Sequence, residues 1–161
     1  MEEWEDPGAV AEEYGPMVYH LAYARTGSRA DAEDVVQEVF VKLLRARPIF
    51  RDKAHCRAWL LRVACNCAND LFRLPWRRRE EPLSDALSTP EAPEESGVLE
   101  AVLALPEKYR LVVHLYYYED LSTAEIAKII GRSEGAVKSR LFRARDMLRG
   151  MLGEEGDHVQ G

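Results

Sequence analysis

An all-α fold of two small helical domains joined by a Pro/Glu-rich linker, the second a helix-turn-helix, is what the 161 residues predict. Three observations carry the prediction. Apolar residues recur at helical spacing in both halves, and strand-like alternation bounded by hairpin turns is missing. Four of the eight prolines, Pro75, Pro82, Pro90 and Pro93, fall with Ser84, Ser88, Thr89 and Ser96 in a stretch without apolar periodicity, the mark of a linker. Near the C-terminal end, a capped apolar run, a glycine and a second capped run follow one another directly, which is the order of helix, tight turn and helix. The expected limits are a first domain at 1–80, a linker at 81–97, a second domain at 98–153 and an acidic tail at 154–161. The 47% hydrophobic content supports a buried core in each domain, although both lie near the lower size limit for one.

After Gly27 and Ser28, the run ADAEDVVQEVFVKLLRAR sets Val35, Val36, Val39, Phe40, Leu43 and Leu44 on one helical face. Its acids lie in the first turn and its bases in the last, as the helix dipole favours. Pro48 stops this helix. A second begins near Ala54, turns Trp59, Leu60, Val63, Ala64, Cys67 and Leu71 inward, and ends at Pro75. In the second domain VLEAVLAL precedes Pro106, well placed as the first residue of a helix through LVVHLYYY. Ser122 with Glu125 makes a capping box for TAEIAKII, Gly131 supplies a left-handed stop, and Ser133 caps a longer helix through Met151.

Ala127, Gly131 and Val137 meet the three needs of a helix-turn-helix: a small residue at the crossing, a turn residue tolerating positive φ, and a buried branched residue in the second helix. Val137, Leu141, Ala144 and Leu148 form the inward stripe of that helix. This leaves Lys138, Ser139, Arg140, Phe142, Arg143 and Arg145 outward, a cationic face with an exposed aromatic. Such a helix suits a major groove, where Arg and Lys reach guanine edges or phosphates and an aromatic touches a thymine methyl.

The net charge of −6 argues against nucleic-acid binding until it is resolved along the chain. Residues 1–40 hold 2 basic and 10 acidic groups, residues 41–79 hold 11 and 2, and residues 80–100 hold 0 and 7. Residues 132–149 then hold 6 and 2. Two basic islands therefore stand in acidic surroundings, an arrangement expected to suppress binding of the free protein to bulk DNA. The acidic first residues are the opposite of a signal peptide, and no membrane span is present, so a cytoplasmic protein is expected. Cys56, Cys65 and Cys67 exclude a disulfide framework by their odd number. They exclude zinc by their spacing, since Cys65 and Cys67 diverge by about 160° on one helix. Cys56 and Cys67 read as small core residues. No catalytic constellation is present, and neither an enzyme nor a cofactor is expected.

The segments DAEDVVQEVFVKL, FRD with AWLLRVACN, LPWRRR, LPEKYR, LYYYEDLSTAEIAKIIG and SEGAVKSRLFRAR, in that order over about residues 10–150, resemble a bacterial extracytoplasmic-function (ECF) sigma factor. The resemblance implies the minimal two-domain type, a dissociable specificity subunit that binds core RNA polymerase and reads one promoter element with each domain. It implies that Asp34, Gln37 and Glu38 dock on the clamp helices of the largest polymerase subunit, where exposed acids meet a basic surface. The loop Phe50, Arg51, Asp52, Lys53 leading to His55 would capture a base flipped from the −10 element, a task that needs an aromatic surface and positive charge. Arg62, Asn66, Asn69 and Arg73 form one polar stripe on the next helix. Arg62 and Asn66 match positions near the −10 element, Asp70 only loosely, and Arg77, Arg78 and Arg79 would hold the phosphate backbone.

Trp59 sits by spacing in the core, with base stacking as the alternative. Lys138, Ser139, Arg140, Phe142, Arg143 and Arg145 would enter the −35 major groove. The region of Tyr109, Arg110, Tyr116, Tyr117 and Tyr118 corresponds to one that contacts the flap of the second-largest subunit, and helical spacing makes most of these residues core. Promoter DNA and an anti-sigma factor complete the expected partners. The competing readings are a stand-alone helix-turn-helix regulator, which leaves the first domain unexplained, and an interaction protein using only its acidic helix.

Overall fold

The computed structural model describes residues 6–72 and 96–159, and every described element is helical or a connecting turn. Arg73, Arg77, Arg78, Arg79 and the linker prolines lie outside the described residues. The chain divides into two compact units, Met1–Glu80 and Glu81–Gly161.

The first unit is three helices, α1 (Pro7–Thr26), α2 (Arg29–Ala46) and α3 (Lys53–Phe72), each packed on the other two. α1 has no counterpart among the elements expected from sequence. It starts with Pro7 in the first turn, carries Pro16 in its interior, and stops at Gly27 in the left-handed region at φ 72°. The next helix starts at once, because Ser28 accepts a 3.2 Å hydrogen bond from the Asp31 N–H. Val10, Val18 and Leu21 from α1, Val35, Val39 and Leu43 from α2, and Leu60, Leu61 and Ala64 from α3 make the core. Burying a side chain of Val or Leu size contributes about 1.5–3 kcal/mol, so these few residues hold the bundle against the entropy of ordering it.

Two expectations are corrected here. Leu44 is 57% exposed, because buried Val35, Val39 and Leu43 centre the apolar stripe and Leu44 lies about 100° round the helix from Leu43, beyond its edge. Cys65 and Leu61, absent from the expected inward set, are buried, since α3 is covered on two sides. All three thiols are free and buried, and burial pushes Cys65 up to about 12 and Cys56 and Cys67 up to about 11.

The second unit comprises α4 (Ser96–Leu103), α5 (Glu107–Val113) continuing into a π turn (His114–Tyr118), α6 (Thr123–Ile130) and α7 (Glu134–Val159), the last broken at Gly153. Pro106 sits at the cap of α5, so the helix begins at Glu107, one residue later than expected. Leu105, Tyr109, Val113 and Ala144 form a core cluster with Val102, Met147 and Leu148 packed against it. Arg110 is buried, and its guanidinium donates to the carbonyls of Leu103 and Leu105 at 3.0 and 3.1 Å. A cation placed where α4 ends answers its orphaned carbonyls and locks the α4–α5 corner.

Of the five residues expected to be mostly core, Tyr109 and Arg110 are buried and Tyr116 is half-buried, but the π turn takes Tyr117 and Tyr118 out of that set. The Glu119 N–H donates to the His114 carbonyl at 3.0 Å across five residues. This wider turn rotates the following side chains away from α-helical register. Tyr117 and Tyr118 are 57% and 64% exposed as a result, while Leu115 is buried.

Candidate nucleic-acid and polymerase interfaces

The helix-turn-helix is assembled by local chemistry at each junction. Ser122 accepts from the Glu125 N–H at 3.0 Å and Glu125 accepts from the Ser122 N–H at 2.8 Å, closing the capping box of α6. Gly131 at φ 71° ends α6, with its N–H donating to the Ala127 carbonyl at 2.9 Å. Ser133 then caps α7 by accepting from the Ala136 N–H at 3.1 Å. Ala127, Val137, Leu141 and Ala144 are buried between the two helices and the rest of the unit.

What remains outward on α7 is narrower than the sequence stripe. Lys138, Ser139, Phe142 and Arg143 are exposed, Phe142 to 69%. Arg140 is half-buried, and burial followed by the nearby Arg132 pulls its guanidinium below its ordinary value. Arg145 turns back toward the π turn. Its Nε donates to the Tyr117 hydroxyl at 2.7 Å, and its guanidinium lies 5.7 and 5.6 Å from the ring centres of Tyr116 and Tyr117. Behind Tyr118 the His114 ring stacks at 4.9 Å, and His114 Nε2 lies 3.4 Å from the buried Glu119 carboxylate. Sequence reasoning missed Glu134, which opens α7 and lies 3.8 Å from Lys138; the i,i+4 spacing of an acid and a base was the available signal.

In the first unit Asp34, Gln37 and Glu38 are exposed on one face of α2. Glu38 pairs loosely with Lys42 at 3.8 Å. A groove of about 360 Å³ between α2 and α3 brings Asp70 to the same side as Asp34 and Glu38.

On α3, Arg62 and Asn66 are exposed as expected, whereas Asn69 accepts a 2.9 Å hydrogen bond from Arg25 Nε and so faces α1. The loop before α3 is closed by its own contacts. His55 N–H donates to Asp52 Oδ1 at 2.8 Å, and Arg51 N–H donates to His55 Nδ1 at 3.1 Å. Phe50 is only 8% exposed, packed edge-on against His55 and Trp59 at 5.3 and 5.8 Å. In this arrangement two rings pack on Phe50, and little of it is open to solvent. Trp59 is half-buried, and Arg51 and Lys53 are exposed.

Residues 10–78 match the family Sigma-70 region 2 and residues 97–148 match Sigma-70, region 4. The ECF RNA polymerase sigma factor SigL of Mycobacterium tuberculosis is 35% identical over 158 residues, covering 92% of this chain and 89% of SigL. The chain belongs to the ECF sigma factor family.

SigV of Bacillus subtilis, an RNA polymerase sigma factor, is 30% identical with 85% of both chains covered. Among solved structures, CnrH in complex with the cytosolic domain of CnrY has a TM-score of 0.64 at 28% identity, over 91% of this chain and 86% of CnrH. The sigma factor RpoE of Bartonella quintana has a TM-score of 0.69 over 88% of this chain and 93% of RpoE, and at 22% identity it speaks to the fold alone. As an ECF sigma factor, this protein binds core RNA polymerase and directs promoter-specific transcription initiation. The match of residues 10–78 to region 2 removes the reading as a stand-alone helix-turn-helix regulator. Among the described residues no helix is long and apolar enough to cross a membrane.

Proposed function

We propose that the first domain, residues 1–80, docks on the polymerase clamp helices through Asp34, Gln37 and Glu38 and engages the −10 element. The second domain, residues 98–153, places α7 in the −35 major groove, with the linker at 81–97 spanning the two and the acidic tail at 154–161 following. The observation that carries this reading is the outward set Lys138, Ser139, Phe142 and Arg143 on a helix fixed by a capped helix-turn-helix, in a chain whose other unit presents exposed acids on α2. Lys138 and Arg143 supply the donors for base edges or phosphates, and Phe142 an apolar contact for a thymine methyl. Arg145, held by Tyr117, and half-buried Arg140 stand at the margin of that contact.

For the −10 element, Arg62 and Asn66 face the duplex from α3, with Arg51 and Lys53 giving positive charge beside it. Phe50 and Trp59 become a stacking surface only if their mutual packing opens when a base enters. The flap of the second-largest subunit is proposed to contact the region of Tyr117 and Tyr118. An anti-sigma partner and a cytoplasmic location are proposed from the family resemblance, and the similar CnrH is itself in complex with the cytosolic domain of another protein.

In vitro transcription with core polymerase and a matched promoter tests the whole assignment. A promoter-dependent transcript that is lost on changing either element is expected. A chain that binds core polymerase and yields no such transcript would sink it.

A further inference from the structure

Glu134 is the only carboxylate between Arg132 and Arg145, a stretch that is otherwise cationic. Its Oε2 accepts a 2.6 Å hydrogen bond from Thr123 Oγ1 and lies 3.8 Å from Lys138 Nζ. One anionic oxygen is therefore held between a hydroxyl on α6 and an ammonium on α7. Hydroxyl and ammonium groups are the donors that DNA-binding proteins turn on backbone phosphates. Beside them opens a cavity of about 390 Å³ lined by Thr123, Lys138 and Arg145 among others. It offers room for a phosphate group next to the carboxylate.

We propose that Thr123 and Lys138 form a site for one backbone phosphate of the −35 element, and that Glu134 fills this site in the free protein. The proposal rests on the assignment of α7 to the −35 groove. An exposed Glu–Lys pair is weakly coupled, so a phosphate bearing a full charge can displace the carboxylate from the lysine. Until it does, the carboxylate masks Lys138 and repels any approaching strand. The effect is independent of sequence, because it acts on the backbone and not on a base edge.

The test is fluorescence-anisotropy titration of the full chain against duplexes carrying the matched −35 element or a scrambled one, over a salt series. Glu134→Gln is expected to bind both duplexes about 3- to 10-fold more tightly, with a salt slope steeper by about one phosphate. Asp146→Asn makes the same charge change twelve residues, about 18 Å, further along α7, and there a shift below about twofold is expected, since over that separation the charge is screened. Adding Thr123→Val to Glu134→Gln is expected to abolish most of the gain.

A gain equal to that of Asp146→Asn would reduce the effect to net charge and overturn the proposal. A loss confined to one base pair would overturn it too, by making Glu134 a base reader. If Lys138→Ala and Arg143→Ala leave both duplexes bound as before, the assignment of α7 itself has failed. If those variants bind poorly while Glu134→Gln changes nothing, only the phosphate site has failed.

Discussion

Arg145 and Tyr117, 28 residues apart in sequence, are joined by a 2.7 Å hydrogen bond in which the guanidinium Nε donates to the phenol oxygen. The bond ties the middle of α7 to the π turn. It draws one cation of the expected DNA-facing set back against the protein's own aromatic surface. Tyr117→Phe removes the hydroxyl and keeps the ring under the guanidinium, so a loss of about 1 kcal/mol is expected. Arg145→Ala removes both contacts and is expected to cost more. Thermal denaturation of the two variants checks the order, and equal losses would show that the hydrogen bond contributes nothing beyond the ring contact.

Arg143 is the exposed cation of α7 left to reach a base edge once Lys138 is given to a backbone phosphate. Arg143→Ala is expected to weaken binding to the matched −35 element by about 1–3 kcal/mol and to relax preference at one position, whereas Lys138→Ala is expected to weaken every duplex alike. Affinity measured against a panel of singly altered promoters reads this directly. A uniform loss on every sequence would assign the residue to phosphate contact.

On α2, Asp34→Ala and Gln37→Ala lie on an exposed face, and the fold should survive both. Each is expected to lower affinity for core polymerase by about fivefold or more, the fall of about 1 kcal/mol or more that marks an energetically important interface residue. Surface-plasmon measurements with core polymerase test it. Unchanged affinity refutes the docking assignment without touching the DNA-reading one.

Burial raises the Cys56, Cys65 and Cys67 thiols from 9.0 to about 11, about 12 and about 11. In the unfolded chain the same thiols ionise first as pH rises, so the unfolded state binds fewer protons above pH 9. Their stabilising contribution is intact below that pH and is lost as pH climbs through 11 to 12. Tyr14 and Tyr19, also raised by burial, act in the same direction above pH 10. Urea midpoints are expected to fall between pH 8 and pH 10.5, and to fall less in Cys65→Ala relative to its own value at pH 8. In native protein at pH 8 the thiols are expected to react with a thiol reagent far more slowly than in denaturant.

Gly131 has no neighbour within 4 Å of where a Cβ would stand, so Gly131→Ala meets only the backbone penalty of φ 71°. About 1 kcal/mol of stability is expected to be lost. A variant as stable as the parent would mean that the turn relaxes.

The junctions of the fold were legible because their chemistry is local. Ser28, Ser122 with Glu125, Gly131 and Ser133 each act within a few residues of themselves, and each stands in the structure as a cap or stop. α1 was not legible, since Pro16 reads in sequence as a helix stop and its apolar residues are not gathered on one face. Its stability comes from burial of Val10, Val18 and Leu21 against the other two helices, which no window of sequence contains. The outward stripe of α7 was legible, but the division within it was not. Whether Arg145 faces DNA or Tyr117, and whether Asn69 faces DNA or Arg25, depends on partners 28 and 44 residues away. Phe50 likewise reads as an aromatic in a loop until Trp59 and His55 close over it.

The turn at His114–Tyr118 makes this stretch sensitive to count more than to identity. A π turn holds one residue beyond what an α-helix would need for the same advance, and each residue of helix carries about 100° of rotation. Exchanging one tyrosine for another ring leaves that phase untouched. Removing one residue would restore an ordinary turn and swing everything ahead of it relative to the helix-turn-helix by about a quarter of a revolution. The stretch can be respelled, but it cannot be shortened.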